Sequence, residues 1–237
     1  MQRKEVEAIF DRQAASYDQQ WARLAPLRAG LDYLVGQVLA DLPADARILC
    51  VGAGTGSEII ELAQRFPRYR FCAVEPSGPM LAVCRRRVEA HGLAGRCDLH
   101  QGYVESLPPS APFDAATSLL VSQFIMDESE RSRFFRAISN RLRPGGYLVN
   151  ADLAADLQSP GYESLLRLWL RMMNAAEVPP EMIERMRAAY GRDVAVLPPE
   201  RIAAIVAAGG FSAPIGLFQG ALIHAWYCTA KPEASTP

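Results

Sequence analysis

From residue 46 onward the chain alternates short apolar runs with longer amphipathic ones, and this rhythm constrains the fold more than any other feature. ARILCV (46–51) reads as a buried strand, SEIIELAQRF (57–66) as a helix and YRFCAV (69–74) as a second strand. SGPMLAVCRRRVEAHG (77–92) reads as a helix, with Ser77 as N-cap and Gly92 past its end. A strand near 96–101, another at FDAATSLL (113–120), a helix over 128–142 and a strand at YLVNADL (147–153) continue the pattern. Strands separated by helix-length segments need crossover connections, which implies a mainly parallel sheet with helices on both faces. The expected class is a Rossmann-like, doubly wound α/β fold.

The flanks break the rhythm. Two helical patterns, roughly 3–15 and 25–41, open the chain; in the second, Leu24, Leu27, Leu31, Leu34, Val35, Val38 and Leu42 recur at helical spacing. Residues 160–190 read as two helices joined at Val178-Pro179-Pro180, followed by a helix over 199–208 and Gly209-Gly210. FSAPIGLFQG and ALIHAWYCTA, divided at Gly220, are two β-like runs with a short join, so they pair as an antiparallel terminal hairpin. The expected sheet has seven strands. The chain reads as a single domain over 1–237, with N-terminal helices over 1–42 and a helical insert over 156–195.

Charge removes one class of partner. The chain has 25 Lys+Arg against 26 Asp+Glu, for a net charge of −1. Proteins that hold nucleic acid by neutralising many phosphates are usually strongly basic, so no nucleic acid is expected. Lys4 and Lys231 are the only lysines. The remaining basic residues are arginines, mostly clustered on helices such as 85–87, 131–143 and 185–192, where they read as solvated faces. No apolar run approaches the roughly 20 residues of a membrane span, and the opening MQRKEVEAIF lacks the apolar stretch of a secretory signal. Five cysteines without a C-x-x-C pair, and three dispersed histidines, indicate neither disulfides nor a metal site and fit a reducing cytoplasm.

The chemical signal is Gly52-Ala53-Gly54-Thr55-Gly56, at the turn between the first strand and its helix. Glycines there let the backbone turn tightly and let a ligand approach main-chain atoms. Glu75 ends the next strand, placed to accept hydrogen bonds from a ribose diol. A buried strand-end carboxylate needs such a partner. A nucleoside-containing cofactor is therefore expected. The dinucleotide fingerprint wants a third glycine at position 57, which is serine here.

In that spacing the sequence resembles the class I S-adenosylmethionine-dependent methyltransferases. The resemblance covers about residues 10–150 and rests on six pieces in family order: FDRQAASYD (10–18), ILCVGAGTG (48–56), AVEPSGPML (73–81), GYVESLP (102–108), FDAATSLLVSQFI (113–125) and LRPGGYLV (142–149). It implies that S-adenosyl-L-methionine is the cofactor and that residues 1–42 form a lid. It also implies that Gly52, Ala53, Gly54 and Gly56 line the methionine and ribose moieties and that Glu75 binds the ribose hydroxyls. Pro76 and Met80 would flank the adenine, Gly102, Tyr103 and Val104 would meet its edge, and Leu119 and Gln123 would lie near the methionine part. Tyr17 matches the lid tyrosine that reaches the methionine carboxylate, and equally suits an anchor for the N-terminal helices. One departure is Cys50, which stands where the family often carries an acidic residue for the methionine amino group.

The resemblance implies methyl transfer to a small-molecule acceptor. Candidate proton-handling groups are Asp152, just past the fifth strand, and His224, whose intrinsic pKa is near neutral. Leu165, Leu168, Trp169, Met172 and Met173 sit at spacings that suit a cap over the acceptor pocket, a helix packed on the core, or a homodimer face. A second resemblance is to the carboxy-S-adenosylmethionine synthases, in which an arginine after the insert recognises a carboxyl group. Arg187 stands near that place, but Leu119 replaces the asparagine expected after the fourth strand. A cofactor-binding regulator without turnover is the non-enzymatic alternative.

Overall fold

The computed structural model describes residues 3–173 and 179–232. The chain opens with helices α1 (Arg3–Gln13), α2 (Tyr17–Gln20) and α3 (Ala25–Val38). The alternating part runs β1 (Arg47–Val51), α4 (Ser57–Arg65), β2 (Arg70–Glu75), α5 (Gly78–Ala90), β3 (Cys97–Gln101), β4 (Phe113–Leu119), α6 (Glu128–Ser139) and β5 (Leu142–Leu153). Helices α7 (Tyr162–Met173), α8 (Pro180–Arg192) and α9 (Pro199–Ala208) follow, then strands β6 (Ile215–Gly220) and β7 (Ile223–Thr229). Val178, in the expected join between the insert helices, lies outside the described residues.

All seven strands form one sheet, in the order β3-β2-β1-β4-β5-β7-β6. The first five pair in parallel, while β7 runs antiparallel to both β5 and β6. The chain travels outward from β1 to β3, then restarts on the other side of β1 with β4. That reversal opens a crevice beyond the carboxyl ends of β1 and β4, where α/β sheets bind their ligands.

Period-two alternation divides the core between the two sheet faces. Ile48 and Cys50 of β1 point into a cluster with Leu31 and Val35 of α3, Ile59 of α4 and Trp169 of α7. Leu49 and Val51 point the other way, toward Phe135 of α6 and Ile205 of α9. Ile48 and Leu49 are fully buried. Each such aliphatic side chain contributes roughly 1.5–3 kcal/mol relative to exposure.

Two elements differ from the sequence reading. The opening helix stops at Gln13, and the chain turns through the four-residue α2 and a 3-10 turn over 22–24 before α3 begins. Pro26, in the first turn of α3, suits a helix start because its missing N–H has no partner there anyway. Strand β5 starts at Leu142 rather than Tyr147, because its pairing with β4 shifts register between Phe113 and Ala115 and so absorbs the Pro144-Gly145-Gly146 bend.

Candidate functional site

The crevice holds two adjoining chambers. The first encloses about 990 Å³, counting space open to solvent, a size suited to a small ligand. Both chambers are lined by Tyr17, Gly52, Gly54, Leu119 and Leu120, so they meet over the glycine turn.

The turn gets its shape from β2. Gly52 and Ala53 both donate backbone N–H bonds to the Val74 carbonyl, at 2.8 and 3.1 Å. Gly54 sits at φ 54°, and a Cβ there would have no neighbour nearer than the Gly52 carbonyl at 4.0 Å. The missing side chain leaves open space in the crevice, as close ligand approach requires. Gly56 answers a different demand. At φ 80°, its Cβ would lie 2.6 Å from the Cys84 sulfur, so glycine is needed there to seat α4 against α5.

Glu75 is buried at the crevice wall, with 6% of its surface exposed. Its Oε2 accepts from Gly54 N–H and its Oε1 from Ser77 N–H, both at 2.9 Å. Burial raises its pKa above the usual carboxylate range, Asp11 and Glu7 add to the rise, and the two N–H donors pull the other way. The carboxyl is thus fixed in orientation, and each oxygen keeps a lone pair for a ligand hydroxyl. Ser77 also caps α5 through its bond from Met80 N–H, and its hydroxyl donates to Asp11 of α1.

Pro76, Met80, Gly102, Tyr103 and Val104 line the first chamber beyond Glu75. Helix α1 closes over it, contributing Val6, Glu7 and Phe10. Arg3 pairs with Glu105 at 3.1 Å and lies over the Tyr103 ring, while Phe10 makes an edge contact with Phe124. The turn after β4 supplies Val121, Phe124 and Ile125 to the wall. Sequence reasoning missed these residues, because the contacts that bring α1 and the turn after β4 together join segments about a hundred residues apart.

Tyr17 bridges the chambers, and burial raises its pKa while nearby Arg28 lowers it. The residue after it ties the N-terminal helices to the glycine turn. Asp18 accepts from the Thr55 hydroxyl at 2.8 Å and from Arg87 at 2.7 Å, and Arg87 also reaches Ser57 at 2.8 Å.

The second chamber lies between the glycine turn, α3 and the terminal hairpin. Trp21, Leu24, Leu27, Leu31, Phe218 and Ile223 give it apolar walls, and Arg28, Asp32 and Glu58 supply charge. Burial pushes the carboxyls of Asp32 and Glu58 up to about 6. None of these three was among the residues expected from the sequence. The available signal was an acidic residue at position 58 on the buried face of an amphipathic helix, beside Ile59 and Leu62.

Several expected residues stand elsewhere. Asp152 is fully buried and lines neither chamber. Its Oδ1 accepts from Gln123 N–H at 2.9 Å, and its Oδ2 accepts from Ser122 and Asn150 at 2.7 Å each. Arg131, also fully buried, approaches the same oxygen at 3.0 Å. The carboxylate therefore anchors the turn after β4 and has no face toward a substrate. Gln123 belongs to the same anchor, its side-chain oxygen accepting from Leu153 N–H at 2.7 Å, so it too is away from the chambers. His224 sits half-buried on β7, stacked on Trp226, where burial lowers its pKa. Register places it opposite Asp152 on one side and Gln219 on the other, outside both chambers.

Of the three readings open for the insert, the packing of α7 matches a helix laid on the core. Trp169 is fully buried and donates to the Tyr190 hydroxyl at 2.6 Å, with Leu166 and Leu170 buried alongside. The apolar face of α7 turns inward, packing on the 3-10 turn that carries Leu24 of the second chamber's wall. Arg187 pairs with Glu163 and Glu184 at 3.8 Å each and touches neither chamber. Cys50 is sealed in the core beside Glu58, its thiol pushed well up by burial. Among the described residues no group of His, Cys, Asp or Glu is arranged to hold a metal ion, and no helix is long and apolar enough to cross a membrane.

Comparison with known proteins points the same way. Residues 48–146 match the model of a methyltransferase domain. That span carries a methyltransferase domain similar to those of the class I S-adenosylmethionine-dependent enzymes. It is 28% identical over 178 residues to trans-aconitate 2-methyltransferase of Streptomyces coelicolor, covering 75% of this chain and 55% of that protein. It is 29% identical over 145 residues to carboxy-S-adenosyl-L-methionine synthase of Campylobacter hominis, covering 60% of each. An O-methyltransferase family protein from Burkholderia thailandensis shares the fold, with a TM-score of 0.66 at 14% identity over 98% of this chain and 64% of that one. The chain spans about half the length of the curated relatives it matches. The methyltransferase domain takes S-adenosyl-L-methionine as its cofactor. The residues present fit that molecule: an oriented carboxyl faces the crevice, a side-chain-free Gly54 leaves space beside it, and the chamber beyond is largely apolar.

Proposed function

We infer that this protein transfers the methyl group of S-adenosylmethionine to a small-molecule acceptor. The observation that carries the reading is Glu75, buried at the carboxyl end of β2 and aimed by two backbone N–H donors, at the wall of a chamber that Gly54 leaves open. A carboxylate so placed receives the two ribose hydroxyls of a nucleoside. Pro76 and Met80 then flank the adenine, and Gly102, Tyr103 and Val104 meet its edge. The N-terminal helices act as the lid. A sulfonium-bound methyl group is already a competent electrophile, so the chain's tasks are to align the acceptor and to keep water out. Helix α1, drawn over the first chamber by Arg3 and Asp11, serves the second task.

The acceptor meets the methyl group where the two chambers join, beside Leu119 and Leu120. The apolar side chains at that junction suit a compact, partly apolar molecule, and enclosure together with near-neutral charge speaks against a nucleic-acid substrate. The five buried thiols suit a reducing cytoplasm. The positions of Asp152 and His224 support no proton-transfer role for either. Arg187, outside both chambers, lends nothing to carboxylated-cofactor chemistry.

Titration calorimetry with S-adenosylmethionine, its demethylated product and NAD tests the reading, alongside mass spectrometry of any ligand that copurifies. S-adenosylmethionine and its demethylated product should bind and NAD should not. Binding of NAD alone, or Glu75→Ala retaining full S-adenosylmethionine affinity, would sink it.

A further inference from the structure

We propose that Glu58, with Arg28 and Asp32 across the second chamber, receives the amino-acid end of S-adenosylmethionine, Glu58 taking the α-ammonium and Arg28 the α-carboxylate. This rests on the cofactor reading above and assigns residues that the glycine turn and Glu75 do not.

The chambers dictate the path. A ligand with its ribose at Glu75 that continues past Gly52 and Gly54 enters the second chamber, because those glycines, with Tyr17, line both. The part of the cofactor that continues there ends in a zwitterion.

Glu58 is the group that such an end would satisfy. It belongs to the first turn of α4, keeps 8% of its surface exposed and lines the chamber. Its partners are neutral: the Thr117 hydroxyl donates to Oε1 at 2.7 Å, and the Cys50 thiol lies alongside. Among the described residues no cation forms a salt bridge with it, and Arg28 is the weakest of the influences acting on it. A buried carboxylate held only by a hydroxyl and a thiol is costly to ionise, and an incoming cation offsets that cost directly. The rise of its pKa to about 6 reflects the same deficit.

Charge balance points the same way. Arg28 lies 3.9 Å from Asp32, a loose pairing that leaves its guanidinium able to fork onto a carboxylate. Two carboxyls against one guanidinium make the chamber acidic. The cofactor brings a sulfonium, an ammonium and a carboxylate, which together carry one positive charge. The two sets are complementary in sign and in number.

The test is titration calorimetry of the wild type, Glu58→Gln and Arg28→Gln with three probes: S-adenosylmethionine, its decarboxylated form and 5′-methylthioadenosine. The last keeps adenine and ribose but has no amino-acid end. Glu58→Gln should weaken S-adenosylmethionine and the decarboxylated form by tenfold to a hundredfold, as expected for a hydrogen bond between charged groups, and leave methylthioadenosine unchanged. Arg28→Gln, at a half-exposed side chain, should weaken S-adenosylmethionine while sparing the decarboxylated form. Equal affinity of wild type and Glu58→Gln for S-adenosylmethionine overturns the proposal, as does a parallel loss for all three probes. Should Glu58→Gln fail to fold, the Arg28→Gln contrast decides, and its absence counts against the assignment. A wild type that binds none of the three overturns the cofactor reading itself, so the two failures are distinguishable.

Discussion

Glu75 and Asp152 stand in equivalent places, one ending β2 and the other near the end of β5, and both are buried. Their surroundings separate them. Glu75 has two backbone donors and an open chamber in front of it. Asp152 has a guanidinium, a hydroxyl, an amide side chain and a backbone N–H, and no opening. A strand-end carboxyl with a face on a cavity is open to a ligand, and one sealed among donors and a counter-charge is scaffold. Glu58 falls between, buried like Asp152 yet partnered only by neutral groups.

Replacing Asp152 should break the comparison most visibly. Asp152→Ala leaves Arg131 buried without its counter-charge, and loss of one partner of a buried pair costs about 3–5 kcal/mol. Denaturant unfolding should show that loss; a change below about 1 kcal/mol would mean that Asp152 is not the anchor of the turn after β4. Glu75→Ala should act on binding instead. Losing two charged hydrogen bonds to the ribose should lower S-adenosylmethionine affinity by roughly a hundredfold or more, with a smaller stability change than Asp152→Ala shows.

Glu58 gives an intermediate effect, visible in pH. Its folded-state pKa is raised from the usual 4.5 to about 6, so the folded chain holds this proton more tightly than the unfolded chain. Stability from this group is present below about pH 4.5 and is lost as pH rises through about 6. The shift corresponds to about 2 kcal/mol. The difference in unfolding free energy between wild type and Glu58→Gln, both without ligand, should change by that amount between pH 4.5 and 7. A difference that is flat with pH would contradict the burial account. Asp32, raised to about 6 from 3.8, acts in the same direction in both proteins and cancels. The smallest effect belongs to His224→Gln, which should leave cofactor affinity unchanged in calorimetry. A tenfold loss would put this residue in the site after all.

Much of the architecture is legible in the chain. The alternation of short apolar runs with amphipathic ones yields strands β1 to β5 within a few residues, because periods of 2 and 3.6 are local properties of backbone geometry. Helix α9 matches its expected span of 199–208, and the terminal hairpin is antiparallel as its short join requires. The glycine turn and Glu75 are legible for the same reason, since a tight strand-to-helix turn needs glycine and a strand end fixes where its last side chain stands. Where the reading went astray, the evidence lay far along the chain. Asp152 meets Arg131 and Ser122, and Glu58 meets Thr117 at a separation of 59 residues.

The sequence by itself thus determined the layers, the strand directions and the place of the glycine turn and Glu75 at the strand ends, because each follows from residue types a few positions apart. Only the tertiary structure decided which buried carboxyls are spent on scaffold and which still face a cavity. That depends on partners from distant segments, and a carboxyl's chemistry is set by the charges and donors around it in space, not by its neighbours along the chain.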